Sequence, residues 1–399
     1  MKRFGMGGKW IWIYLFVGGQ AVLTADTFRH LTEKDVVFHG YVAAVDENGL
    51  AEVQTQEAGI QKINLSNFEM QINQEGRNRL VPVLSISDEI AFEIETAAFE
   101  EAIQKESHRG PLFILIEIDT PGGRVDLTRR LCAAISELRF CPTVAFIKGE
   151  KNLGAYSAGT AVALACDKIY MAPNTAMGAV TAIVETEEGF KTEKEVYGEA
   201  IGEKFGSAWR GYLAALAERN NRPGILAKAM ENMDIEVLEV RRGNRNLFIE
   251  AKDKQPGDQV IEIFCKKGEL LTLTPERAVR CGMAEGIADS RSRLLAALNA
   301  SDARVEVNQD ILKAREELEL VIKRFNRLME NLDLRFKELN ARQSMNRAEA
   351  LKTLQDILRQ TESLVRLKQK YPDVPVSEEK VIRFRNTVKA EYESVRTMR

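Results

Sequence analysis

The chain has 399 residues, 45% of them hydrophobic and 29% charged, with only 10 prolines, which excludes a wholly disordered polypeptide and a single typical domain. Its 56 basic and 59 acidic residues leave a formal charge of −3, so no global positive field exists to hold nucleic acid by counterion release. Five cysteines (132, 141, 166, 265 and 281) are too few and scattered for a disulfide framework, and without a CxxC pair no structural zinc site, and no metal chemistry, is expected.

At the N-terminus, Lys2, Arg3 and Lys9 precede the apolar run Trp10 to Val17, and Leu23-Thr24-Ala25 follows a Gly-Gly-Gln stretch. Basic, apolar and small-residue regions in that order predict a secretory signal over residues 1–25 that exports the chain to the periplasm or another extracytoplasmic space. The run falls short of the roughly 20 apolar residues of a membrane span. Left uncleaved, with Leu23 at the −3 position, the segment would act as an N-terminal membrane anchor.

Short alternating runs broken by turn signals, such as Tyr41 to Val45 before Asp46-Glu47-Asn48-Gly49, predict a small antiparallel β unit over residues 26–79. Residues 80–300 read differently. Apolar strands at Val81 to Ile86, Leu112 to Ile118 and Thr143 to Ile147 alternate with helical spacing over 88–106 and a helix over 126–138 capped by Asp126. Strands apolar on both faces between amphipathic helices predict βαβ units around a buried parallel sheet. Further strands are expected at Ile235 to Val240 and Val260 to Phe264, and a strand running into a helix at Leu271 to Ala278. Residues 301–399 form a helical tail. Leu318, Ile322, Phe325, Met329, Leu332, Phe336 and Leu339 step by four and three as a heptad seam, and Arg347 to Lys370 is a second helix before Pro372 and Pro375. The tail is expected to be a helical hairpin, an oligomerising coil or a single amphipathic helix lying on its own domain, and truncation after about Ala303 is expected to lower the oligomeric state but leave Ser157 reactive.

Two blocks carry chemistry. Thr120-Pro121-Gly122-Gly123 follows a buried strand, where glycines without Cβ let backbone N–H groups face a bound oxygen. Ser157 lies in Gly154-Ala155-Tyr156-Ser157-Ala158-Gly159-Thr160, just before the apolar helical run Ala161 to Ala165. A serine there is either a helix N-cap or a nucleophile presented at a helix N-terminus.

These blocks, followed by Ala165-Cys166-Asp167-Lys168-Ile169-Tyr170-Met171-Ala172-Pro173-Asn174-Thr175 and by Gly282-Met283-Ala284-Glu285-Gly286-Ile287-Ala288-Asp289, resemble the ClpP/crotonase-fold membrane-associated serine proteases of the nodulation-efficiency (NfeD) type, relatives of signal peptide peptidase A. The resemblance covers about residues 80–290. It implies an α/β fold, a spiral of ββα units, with Ser157 as nucleophile and an oxyanion hole at Gly122, Gly123 and Ala158, the amides of Gly123 and Ala158 being the donors. The transmembrane helices and small β-barrel of longer family members have no counterpart here, so attachment through the C-terminus is not expected.

Of the three histidines, His30 and His39 belong to the N-terminal β unit and His108 lies in a polar loop, so a Ser-His-Asp triad is poorly supported. The alternative is a Ser-Lys dyad, in which a desolvated lysine accepts the serine proton. Lys204 is the first candidate, on a helix over 194–219 whose buried side is expected at Ile201, Phe205, Ala208, Tyr212 and Leu216, and with no acid among its i±3 and i±4 neighbours. The resemblance also places the family's general-base lysine there. Lys194 and Lys191 are the runners-up. With no P-loop in the chain, the reading is an ATP-independent serine endopeptidase without cofactors. It would cut apolar or membrane-proximal polypeptides outside the cytosol as a homo-oligomer, with room for membrane-associated partners. A catalytically inactive scaffold and an acyl-CoA enzyme of the crotonase type are the alternatives.

Overall fold

The computed structural model describes residues 26–45, 50–55, 59–71, 79–138, 141–186, 189–341, 346–374 and 378–397, so the expected signal over 1–25 lies outside the described residues. The chain divides into two compact units, residues 1–77 and 78–399. The first is an antiparallel sheet of β1 (Asp26–His30), β2 (Val37–Val45), β3 (Leu50–Thr55), β4 (Gly59–Asn64) and β5 (Phe68–Gln71), in the order β4-β3-β2-β1-β5. Phe28, Phe38 and Phe68 stack on one face of it with His30 at the edge.

The second unit is mixed α/β. Chain order runs β6 (Leu80–Ser87), α1 (Glu93–Ser107), β7 (Ile114–Asp119), α2 (Val125–Ser136), β8 (Thr143–Ile147), β9 (Gly154–Tyr156), α3 (Ala158–Ala165), β10 (Lys168–Met171) and β11 (Ala176–Gly178). A hairpin, β12 (Ile183–Thr186) and β13 (Gly189–Thr192), leads into α4 (Glu193–Tyr197), α5 (Glu199–Arg219) and α6 (Gly224–Glu231). A three-stranded antiparallel sheet follows, of β14 (Val237–Arg242), β15 (Arg245–Glu250) and β16 (Gln259–Cys265). The chain closes with β17 (Thr272–Leu273), α7 (Pro275–Arg280), β18 (Gly286–Ile287), α8 (Arg291–Ala297), β19 (Arg304–Val307), α9 (Asp310–Ala341), α10 (Arg347–Lys370) and α11 (Glu378–Thr397).

The main sheet has the order β18-β10-β8-β7-β6-β19 and every pair in it is parallel. All six residues of β7 and all five of β8 are buried, as the continuous apolar runs require of strands covered on both faces. Val81, Val83, Leu115, Val144 and Phe146 pack with Leu294 of α8 and Leu298 just after it. A buried carboxylate, Glu117 of β7, faces Arg291 Nε at 2.7 Å and Lys148 Nζ at 3.2 Å. Burial alone would push its pKa up, but the hydrogen bond from Arg291 and the charges of Lys148 and Arg291 outweigh burial and hold it below the ordinary value. Arg291→Leu should therefore cost about 1–3 kcal/mol in a urea melt at neutral pH, because Glu117 loses a charged partner in a buried position. The sign of the pH dependence follows from the lowered value. The wild-type advantage is full above the unfolded carboxylate pKa and fades as pH falls through the lower folded one. An equal gap between the two proteins at every pH would contradict this account.

Several expectations are corrected. Ile90 and Phe92, counted into a helix, are extended, because Ile90 pairs with Gly123 in a parallel bridge; α1 starts at Glu93. Asp126 does not cap α2; it sits in the first turn and pairs with Arg124 at 2.6 Å. The five cysteines, for which no disulfide framework is expected, are buried and free. The strand β19 falls inside the segment read as tail and forms an edge of the main sheet. Of the alternatives open for the tail, the seam of α9 packs within its own chain: Phe325, Leu332 and Leu339 share one core with Leu354, Ile357 and Leu364 of α10 and with Val381 and Val388 of α11. A third helix, α11, lies beyond Pro375, inside the segment read as helical tail but not one of the two helices read there from the sequence.

Candidate active site

The backbone around the serine is built by three segments. Thr120 bridges to Ala155, its amide donating to the Gly154 carbonyl at 2.9 Å and its carbonyl accepting from Tyr156 N at 3.0 Å. The Ser157 amide donates to the Gly178 carbonyl at 3.0 Å. The Thr160 hydroxyl donates to the Ala155 carbonyl at 2.6 Å and accepts from Gly178 N at 2.8 Å, tying the first turn of α3 to the strands on either side. The loop before β9 is wrapped around the Asp119 carboxylate, which accepts from Lys151 N at 2.6 Å and Asn152 N at 3.0 Å.

This frame holds Ser157 at φ 49° and ψ −119°, between β9 and α3. A non-glycine residue there costs on the order of 1–3 kcal/mol and persists only where its surroundings over-determine it. Ser157 takes the N-cap position of α3, yet its side chain makes no capping hydrogen bond. The plain capping role is thus ruled out by geometry. The hydroxyl is left at the positive end of a helix, beside the Ala158 amide, one of the first-turn N–H groups that a helix cannot bond internally.

Gly122 passes directly in front of it, followed by Gly123. A Cβ on Gly122 would lie 2.6 Å from Ser157 Cβ and 3.0 Å from Oγ, and one on Gly123 would run into the Ile90 carbonyl, at φ values of 121° and 154°. Both positions need glycine because of these close approaches. The Gly122 amide donates to the Thr120 hydroxyl at 3.1 Å, so it is not available to a ligand, and Gly122 contributes space rather than a donor.

The lysines are placed differently from expectation. The helix read as one over 194–219 is broken at Gly198, where φ is 84°. The buried face of α5 is Gly202, Gly206, Trp209, Leu213 and Leu216, with Trp209 Nε1 donating to the Val180 carbonyl at 3.0 Å. Ile201 and Phe205 are 52% and 48% exposed, and Lys204 stands exposed between them. Apolar spacing pointed to the wrong side because two glycines let α4 and the α6 segment approach closely where larger side chains were expected. Lys194 is held by Glu199 at 2.9 Å and Glu203 at 3.2 Å, whose hydrogen bonds push its pKa up. Lys191 lies on β13. His108 sits at the C-terminal end of α1, ahead of the start of β7, whereas Asp119, which gathers the loop before the serine, closes that strand. His30 and His39 are in the other unit.

Residues 80–258 match the family model for the NfeD1b N-terminal domain. This segment is an NfeD1b-type domain. The chain is 30% identical over 242 residues to the membrane protein NfeD1b of Bacillus subtilis, covering 60% of this chain and 46% of that protein. It is 25% identical over 195 residues to the membrane-bound protease PH1510 of Pyrococcus horikoshii, covering 49% of this chain and 34% of that one. The chain thus spans less than half the length of these curated relatives. Among solved structures, two mutants of the 1510-N membrane-bound stomatin-specific protease are similar, each with a TM-score of 0.42. A serine-to-alanine mutant is 22% identical, covering 58% of this chain and 98% of that one. A lysine-to-alanine mutant in complex with a substrate peptide is 23% identical, covering 60% and 97%. The NfeD1b-type domain is therefore homologous to proteins named as membrane proteins, while among the described residues no helix is long and apolar enough to cross a membrane.

Proposed function

We propose that the NfeD1b-type domain is a serine peptidase with Ser157 as nucleophile, acting outside the cytosol on apolar or membrane-proximal polypeptide without ATP. The observation that carries the reading is the strained turn at Ser157, whose hydroxyl faces the Gly122-Gly123 segment and caps nothing. In the reaction, Oγ attacks the scissile carbonyl carbon while its proton passes to a neutral lysine. The oxygen that becomes negative takes hydrogen bonds from the Gly123 and Ala158 amides, donors of a kind worth about 10²–10³ in rate each. The departing amine collects the proton from the lysine, and water releases the acyl group from Oγ by the same steps. Homology to a protein named as a membrane-bound protease supports the reaction class.

Lys204 remains our candidate base, with a condition its exposure imposes. Tyr197, Ile201 and Phe205 form an exposed apolar face around it, and a polypeptide or a second copy of the chain lying on that face would supply the missing desolvation. A catalytically silent scaffold is the second reading, favoured by that same exposure and by the two ion pairs that occupy Lys194. A fluorophosphonate probe on the full chain separates the two: labelling at Ser157 is expected for the peptidase and none for the scaffold. Lys204→Ala should abolish peptide cleavage as fully as loss of the serine, since the members of one catalytic unit are not additive. An active Lys204→Ala beside an inactive Lys194→Ala would move the base to Lys194.

A further inference from the structure

The tail helix α9 reaches the segment that leads from β6 into the site. Arg315 places Nε 2.7 Å and Nη2 2.8 Å from the two oxygens of Glu95. Its Nη1 lies 2.9 Å from Asp88 Oδ2 and 3.2 Å from Ser87 Oγ, and Nη2 also donates to the Ser87 carbonyl at 2.7 Å. The fork is thus spread over the end of β6, the turn after it and the first turn of α1, with the side chain 21% exposed.

That turn is what the oxyanion segment rests on. Asp88 has φ 63°, its amide donates to the Asp119 carbonyl at 3.2 Å, and its carbonyl accepts from the Thr120 hydroxyl. Two residues on, Ile90 N donates to the Gly122 carbonyl at 2.8 Å, and the Ile90 carbonyl accepts from Arg124 N at 2.8 Å. Backbone bonds therefore fix Gly123 from both neighbours through Ile90. The other oxygen of Asp88 pairs with Lys151, in the loop that Asp119 gathers before β9. One residue strained into the left-handed region holds both the donor loop and the nucleophile loop, and Arg315 holds that residue from outside the family-matched segment.

We propose that Arg315 is a positioning residue for the oxyanion hole, so that docking of the tail helix sets the reactivity of Ser157; this rests on the peptidase reading. Without the guanidinium, Asp88 and Glu95 lose their shared cation and the turn at 88–90 is free to shift. Small displacements of pre-organised groups reach about 10²-fold in rate.

The test uses the full chain and the rate of Ser157 labelling by a fluorophosphonate, whose phosphoryl oxygen needs the same donors. Arg315→Ala is expected to slow labelling about tenfold or more, with faster hydrogen exchange at Arg124 N, while Arg315→Lys, which keeps the charge but not the fork, recovers part of the rate. Arg335→Ala breaks the tail's own pair with Asp356, 2.9 Å in the wild type, and should stay within about twofold of wild type. If Arg315→Ala does not fold, Arg315→Lys and Asp88→Asn carry the test, each expected to label more slowly than wild type. Labelling of the Arg315 variants at the wild-type rate, or an equal loss in Arg335→Ala, overturns the proposal. A wild-type chain that does not label at all overturns the peptidase reading and this inference with it, a result distinct from either.

Discussion

Replacing Ser157 by alanine is expected to abolish both probe labelling and peptide cleavage while leaving the melting temperature within a few degrees of wild type. The hydroxyl makes no capping bond, so its removal leaves no orphaned partner, and the residue's backbone bonds to Gly178 and Thr160 survive the change. The φ of 49° is as costly for alanine as for serine, so the strain is carried over unchanged. Cleavage should fall by the about 10⁶-fold typical of losing a catalytic nucleophile. Cleavage persisting near the wild-type rate would remove Ser157 from the mechanism. A collapse of the fold would show instead that the hydroxyl is a structural element of the turn.

Truncation after Ala303 should be the most damaging change of all. It removes β19, whose residues Arg304 to Val307 pair with Leu80 to Val83. It also removes the bond from Asn308 N to the Val83 carbonyl at 2.8 Å and the Arg315 fork on Asp88 and Glu95. An edge of the buried sheet would be opened and the turn beneath the oxyanion segment released. We expect a chain that melts well below the full-length protein and labels poorly at Ser157. This reverses what the sequence suggests, where the sharp rise in Glu, Lys and Arg after Asn308 looks like a separable appendage. A truncated chain with wild-type melting and labelling would restore that simpler view.

The buried parallel strands were legible because strands covered on both faces are near-continuous apolar runs, and Thr143 to Ile147 forms as expected. The serine turn was legible because small residues must surround a strand-to-helix reversal this tight. Asp88, Asp119 and Thr160 were not, since a polar residue whose work is to hold backbone amides looks, in sequence, like any loop residue. The orientation of α5 was misread for a related reason. Hydrophobic spacing marks Ile201 and Phe205 as inward, but the helix packs through Gly202 and Gly206, and a glycine stripe carries no hydropathy signal of its own.

The order of strands in the main sheet carries a consequence for biosynthesis. The four central strands come from residues 80–171, yet the two outer ones, β18 and β19, are supplied by residues 286–287 and 304–307. As the chain is made from its N-terminus, the middle of the sheet is available long before either border, leaving two unpaired strand edges exposed while more than a hundred further residues are added. Closure then depends on contacts between distant segments, Gly286 with Tyr170 and Arg304 with Leu80, a topology that folds slowly. A nascent chain of this kind is open to edge-to-edge association until its last third arrives, and the late strands act as its finishing seam.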